Sequence, residues 1–260
     1  MPLLREGAEQ KQRETRLKQR TIDNRQLATA TIRKQTVVCC PLTNKKTKAT
    51  TRRQTIVCCP LSINHPPMKV NWKPGTMIYP LPAVMVSCGA SEEEYNIITV
   101  SWTGTICTNP PMCYISVRPE RHSAAIIKKH MEFVINLTDA STAFATDWCG
   151  VRSGRDHNKF EEMGLTPGKA TIVQAPIIEE APLSIECHVK EIIPLGTHEM
   201  YIAEVVNVIA EDKYIDKETD KFELADCDPL VYLHGGYYHL GEKIGKFGWS
   251  VEKKDKKRKK

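Results

Sequence analysis

Five hydrogen-bonding side chains crowd into eight residues: Asn96, Thr99, Ser101, Trp102 and Thr103. Ile98, Val100 and Trp102 alternate with Thr99, Ser101 and Thr103, the period of a half-buried strand. The polar face of this run carries neutral hydroxyls in place of the Lys and Glu of an ordinary solvated face. Hydroxyls and amides on a rigid strand suit an anionic or heteroaromatic ligand held by many modest hydrogen bonds. A barrel strand using Thr for its β-propensity gives the same letters, and periodicity alone does not separate the two readings. A second strand, 112–117, runs into Arg118, Arg121 and Ser123, bringing positive charge to the same end. Ser123 is placed to cap a helix over 124–130. A helix N-terminus with hydroxyl and guanidinium neighbours favours an anion, while a plain exposed basic turn is the alternative.

The elements that must position these groups are short. β-branched runs separated by Pro and Gly predict strands at 83–88, 97–106, 112–117, 132–137, 183–193 and 200–210. The last two are joined by Pro194-Leu195-Gly196-Thr197-His198, a hairpin-like connection. This spacing predicts a mainly β, antiparallel barrel with Greek-key connections. Short peripheral helices are expected at 124–130, 141–148 and 158–163. No G-x-G-x-x-G follows a strand, so a Rossmann domain for tightly held NAD is not indicated.

The segment N-x-x-T-V-S-W-T-G from Asn96, followed by N-P-P-M-x-Y-I-S-V-R-x-x-R-x-S from Asn109, resembles the flavin-binding core of the flavoredoxin and flavin reductase family. The likeness continues through Ser153-Gly154-Arg155-Asp156 with Lys159-Phe160, then Gly164-Leu165-Thr166, and ends in Tyr238-His239-Leu240-Gly241-Glu242 with Gly245-Lys246-Phe247-Gly248. It covers nearly all of the chain from about Met68 to Ser250. The resemblance implies an FMN-binding split β-barrel, a homodimer with flavin near the subunit interface, and electron transfer from NADH or NADPH through flavin to a free flavin or a redox partner protein. In such proteins the cofactor supplies the redox chemistry and the chain supplies position and electrostatics, so no catalytic side chain is expected. The flavin-contacting positions it implies are Asn96, Thr99, Ser101, Trp102 and Thr103 for the ring and ribityl chain, and Arg118, Arg121 and Ser123 for the phosphate. Lys159 is implied beside the ring, with His198 on the flavin side, and Arg155 pairing with Asp156 would shape the loop before Lys159. One of Tyr237 and Tyr238 would cover the flavin. The alternatives are a core Trp at 102, a solvated Lys159 and an exposed turn histidine at 198. A non-enzymatic FMN carrier, reduced by a partner protein, is the rival function.

Composition bounds the remaining readings. The chain has 260 residues and a net charge of +6. Residues 1–67 hold 14 Lys/Arg against 4 Asp/Glu, and the last nine residues hold 7 against 2. The body 68–251 is left with 16 against 25, so the basicity lives in the ends. An acidic body argues against nucleic acid, leaving only salt-dependent binding through the two basic ends as a remote alternative. No apolar run reaches the 18 residues of a membrane helix. Cys88, Cys107, Cys113, Cys149, Cys187 and Cys227 are scattered without metal spacing and read as reduced cytoplasmic thiols. No metal site is assigned. Within 1–67, Gln35-Thr-Val-Val-Cys-Cys-Pro-Leu recurs as Gln54-Thr-Ile-Val-Cys-Cys-Pro-Leu. Two copies cannot build a solenoid, and the expectation is a disordered or non-native extension over 1–67, with Met68 the natural start, a folded domain over 68–251 and a basic disordered tail over 252–260. N-terminal sequencing of natively expressed protein checks this; a mature chain starting near Met1 would reject it.

Overall fold

The computed structural model describes residues 68–252. The repeat-bearing extension and nearly all of the basic tail lie outside the described residues. Fourteen strands are described. The main ones are β2 (Val84–Cys88), β3 (Asn96–Val100), β4 (Thr103–Cys107), β5 (Met112–Val117), β6 (Glu132–Leu137), β9 (Leu183–Leu195) and β10 (His198–Ala210). They form one curled antiparallel sheet in the order β3-β2-β6-β9-β10-β5-β4. Its neighbours out of chain order, β2–β6, β6–β9 and β10–β5, supply the crossovers of the expected split barrel. Short strands β1 (Leu81–Pro82), β13 (Val231–Leu233) and β14 (Gly236–Tyr238) form a separate small sheet. β7 (Pro167–Gly168) pairs with β8 (Ile177–Ile178), and β11 (Ile215–Asp216) with β12 (Lys221–Phe222).

The barrel interior is filled by Val84, Val86, Ile98, Val100, Ile115, Val117, Phe133, Ile135 and Tyr201, closed at one side by Ala124, Ile126 and Ile127 of helix α1 (His122–His130). A second apolar cluster joins Met85 and Ile97 to Ala145 and Cys149 of α2 (Ala143–Val151) and Phe160 of α3 (Lys159–Met163). Strands β2 and β3 are therefore covered on both faces, which is why VMVSC and NIITV read as near-continuous apolar runs. Strand β5 has one covered face and alternates cleanly, with Cys113, Ile115 and Val117 buried. The β9–β10 hairpin turns over two residues, and Gly196 at its first position takes φ 71°, a region glycine occupies freely.

Three local expectations need correction. The strand expected over 97–106 is two strands, β3 and β4, broken by a bend at Ser101-Trp102. The bend resets the alternation: Trp102 is 44% exposed while Thr103 is buried. Helix α1 begins at His122, so Ser123 lies inside the first turn, and the N-cap residue is Arg121, which makes no side-chain cap bond. The helix expected at 141–148 is shifted to α2. The third helix follows its expected place with Asn158 as the cap, its Oδ1 accepting from the Glu161 N–H at 3.3 Å. Among the described residues, no helix is long and apolar enough to cross a membrane.

Candidate functional site

Two adjoining cavities open beside the broken strand, and they share Ile98, Trp102, Arg118 and Arg121. The smaller, about 250 Å³, is lined by Thr99, Ser101, Trp102, His198, Tyr232 and Tyr237, with Asp147, Gly150 and Val151 from α2. The larger, about 580 Å³, is lined by Asn96, Ser123 and Lys159 together with Arg118, Arg121, Arg152 and Arg155, and it contains a single carboxylate, Glu120. One cavity is aromatic and hydroxyl-rich, the other cationic.

The bend at Ser101-Trp102 builds the junction between them. It turns the indole outward, where it meets the His198 ring edge-on with centroids 5.3 Å apart. His198 opens β10, and its Nδ1 lies 2.9 Å from the Thr197 hydroxyl. Thr99 faces α2, its hydroxyl donating to the Thr146 carbonyl. Thr103 stands apart from the other candidates. Its hydroxyl donates to the Tyr114 carbonyl at 2.6 Å, and it lines neither cavity. The aromatic wall comes from the small sheet. The β13–β14 hairpin turns on His234-Gly235 with φ 48° and 87°, the two positive values of a type I′ turn. Alternation then sends Tyr237 to the cavity and leaves Tyr238 52% exposed. The Tyr237 hydroxyl donates to Asp147 at 3.1 Å.

The floor of the cationic cavity is buried. The Asn96 amide donates to the Ser123 hydroxyl at 2.7 Å, which ties the start of β3 to the first turn of α1. Gly154 makes room for this contact, because a Cβ there would collide with the Asn96 amide. Lys159 is neither solvated nor beside the aromatic cavity. It is 3% exposed, and its ammonium donates to the Ile97 and Cys149 carbonyls, each at 2.7 Å. Burial first, and the neighbouring Arg121 charge, push its pKa down to about 8. The adjacent thiols of Cys88 and Cys149 are pushed up, to about 12 and about 11, mainly by burial, so they offer no compensating charge at neutral pH. His122 is lowered by burial and then by the Arg155 and Lys159 charges, as a positive potential requires.

On the rim, Arg118 pairs with Glu120 at 3.5 Å. Arg155 donates to the Glu120 carbonyl at 3.2 Å; it does not pair with Asp156, as the sequence had suggested. Asp147, Tyr232 and Arg152 were not anticipated. Asp147 reaches the cavity with Gly150 and Val151 because the three share a face of α2, which runs past the expected helix end at 148. Among the described residues no group of three or more potential metal ligands occurs.

Together the cavities suit a ligand with a planar, hydrogen-bonding ring at one end and an anion at the other. Residues 76–241 match the sequence profile described as the Flavin reductase like domain. The fold superposes on the flavoredoxin of Desulfovibrio vulgaris (Miyazaki F) with TM-score 0.66 and 26% identity, over 71% of this chain and 100% of that one. For the flavoredoxin from Methanosarcina acetivorans the values are 0.64 and 23%, over 72% and 100%. An uncharacterized protein of Archaeoglobus fulgidus is 26% identical over 143 residues, 55% of this chain and 80% of that protein. With the profile spanning most of the chain and the split barrel reproduced, the protein belongs to the flavin reductase like family.

Proposed function

We propose that this chain is an FMN-binding flavin reductase or flavoredoxin, a cytoplasmic homodimer that moves electrons from NADH or NADPH through flavin to an acceptor. The observation that carries the reading is the pair of cavities joined at Trp102, aromatic and hydroxyl-lined on one side and cationic on the other. FMN bound there would accept a hydride from the reduced nicotinamide and pass electrons onward. The chain's part is to bind and orient. Arg121, Ser123 and Asn96 would receive the phosphate, with Arg118 beside them and the Lys159 charge beneath. Thr99 and Ser101 offer hydrogen bonds to the ring and ribityl chain. Trp102, Tyr232 and Tyr237 supply apolar walls that exclude water, with His198 held against the indole. Large apolar side chains stand exposed at Trp72, Ile78, Ile244 and Phe247, surface that a second subunit would cover.

The test is direct. Purified protein is expected to carry or take up FMN, turn yellow, and bleach on anaerobic addition of NADH or NADPH. Colour without bleaching would assign the carrier function, with reduction left to a partner protein. Absence of any flavin affinity would reject both.

A further inference from the structure

We propose that Arg152 and Arg155 form a second phosphate subsite, separate from the one that takes the flavin phosphate, which binds the pyridine dinucleotide during turnover. This rests on the flavin reading above and goes beyond it in naming residues for the exchanging substrate.

Charge is the first argument. Four arginines and Lys159 line the cationic cavity against Glu120 alone. A phosphate monoester carries about −1.5 to −2 near neutral pH, so the flavin phosphate offsets only about half of the net positive charge. Size is the second. At about 580 Å³ the cationic cavity has more than twice the volume of the aromatic one at about 250 Å³, although a ribityl phosphate is slimmer than a tricyclic ring. The third is the arrangement in two tiers. Asn96, Ser123 and Lys159 make a buried floor with fixed hydrogen bonds, suited to a group that stays. Arg152 and Arg155 are exposed on the turn that follows α2. Arg155 spends one N–H on the Glu120 carbonyl, which orients the guanidinium and leaves its remaining donors for a ligand. Exposed forks that bind phosphate oxygens in pairs suit a group that arrives and leaves in each cycle. Two anionic groups of the reductant have this chemistry: the pyrophosphate common to NADH and NADPH, and the 2′-phosphate of NADPH.

The experiment titrates the FMN-loaded protein with adenosine 2′,5′-bisphosphate and with inorganic pyrophosphate, by calorimetry, in the wild type and in an Arg152→Gln/Arg155→Gln double variant. At least one probe should bind the wild type and weaken about tenfold or more in the variant, while FMN affinity and the unfolding midpoint stay unchanged. Preference for the bisphosphate assigns the 2′-phosphate; preference for pyrophosphate assigns the shared backbone. The proposal is overturned if neither probe binds, if the variant binds them as the wild type does, or if FMN affinity falls with probe affinity. That last result would give the arginines to the flavin. Should the wild type bind no FMN, the flavin reading fails separately. The same probes on flavin-free protein then decide the subsite by whether binding is present and lost in the variant.

Discussion

The floor and the rim of the cationic cavity use similar groups under opposite constraints. On the floor, Lys159 is buried with both hydrogen bonds fixed to strand and helix carbonyls, and Asn96 and Ser123 satisfy each other. On the rim, Arg118, Arg121, Arg152 and Arg155 are exposed and water-screened. A buried charge must have its partners built in, whereas an exposed one costs the fold little. Substitutions on the floor should therefore register in stability as well as in binding, and those on the rim in binding alone.

The largest effect is expected for Lys159→Ala. Two carbonyls lose a charged donor, and unfolding free energy should fall by on the order of 3 kcal/mol, read from urea denaturation. A variant as stable as the wild type would erase the distinction between floor and rim. Next comes Arg121→Ala, which should leave stability alone and weaken FMN about tenfold or more through loss of a charge-assisted bond, with riboflavin little affected. Equal losses for the two ligands would remove the phosphate assignment. Trp102→Ala tests the junction. Because the indole is already 44% exposed, ligand contact buries only part of it, and about 1 kcal/mol is expected, shared by FMN and riboflavin. Unchanged affinity for both would leave Trp102 as a partner of His198 alone.

A pH dependence with two opposite slopes tests the Lys159 charge without a substitution. The folded pKa of Lys159, about 8, lies below its ordinary 10.5, so between these values the unfolded chain binds more protons. Stability should therefore gain from this group as pH rises through that window. FMN affinity should fall over the same range, since Lys159 loses its charge while the phosphate, with a second pKa of about 6, stays dianionic. A flat affinity profile from pH 7 to 10 would show that the ammonium does not reach the ligand's field.

The sequence exposed the regular parts of the molecule and concealed those made by tertiary contact. Strands β5 and β6 fell on their expected residues because β-branched runs bounded by turns mark them. The single long strand expected from residue 97 failed at Ser101-Trp102, where no Gly or Pro announces the bend. For the same reason alternation alone puts Thr103 on the ligand face, when the bend turns it inward. Ser123 looked like a cap because Ser commonly is one, but its hydroxyl is taken by Asn96, a residue 27 positions away. Two- and three-residue strands carry almost no periodic signal, so the sheet that delivers Tyr232 is unreadable in the sequence, although Gly235 marks its turn. Only the resemblance implies a place near flavin for Lys159. Its burial against two carbonyls is a property of the packed barrel that no local pattern encodes.

The bond between Tyr237 and Asp147 links the β13–β14 hairpin to α2 on two walls of the aromatic cavity. For a planar guest lodged there, this clasp bears on residence time. A hydrogen bond to a charged group contributes roughly 1.5–3 kcal/mol, less where water competes. Opening it should change the escape rate far more than the entry rate, as most changes of affinity do. A resident cofactor and a flavin handed on after each turnover can thus differ by the strength of one latch.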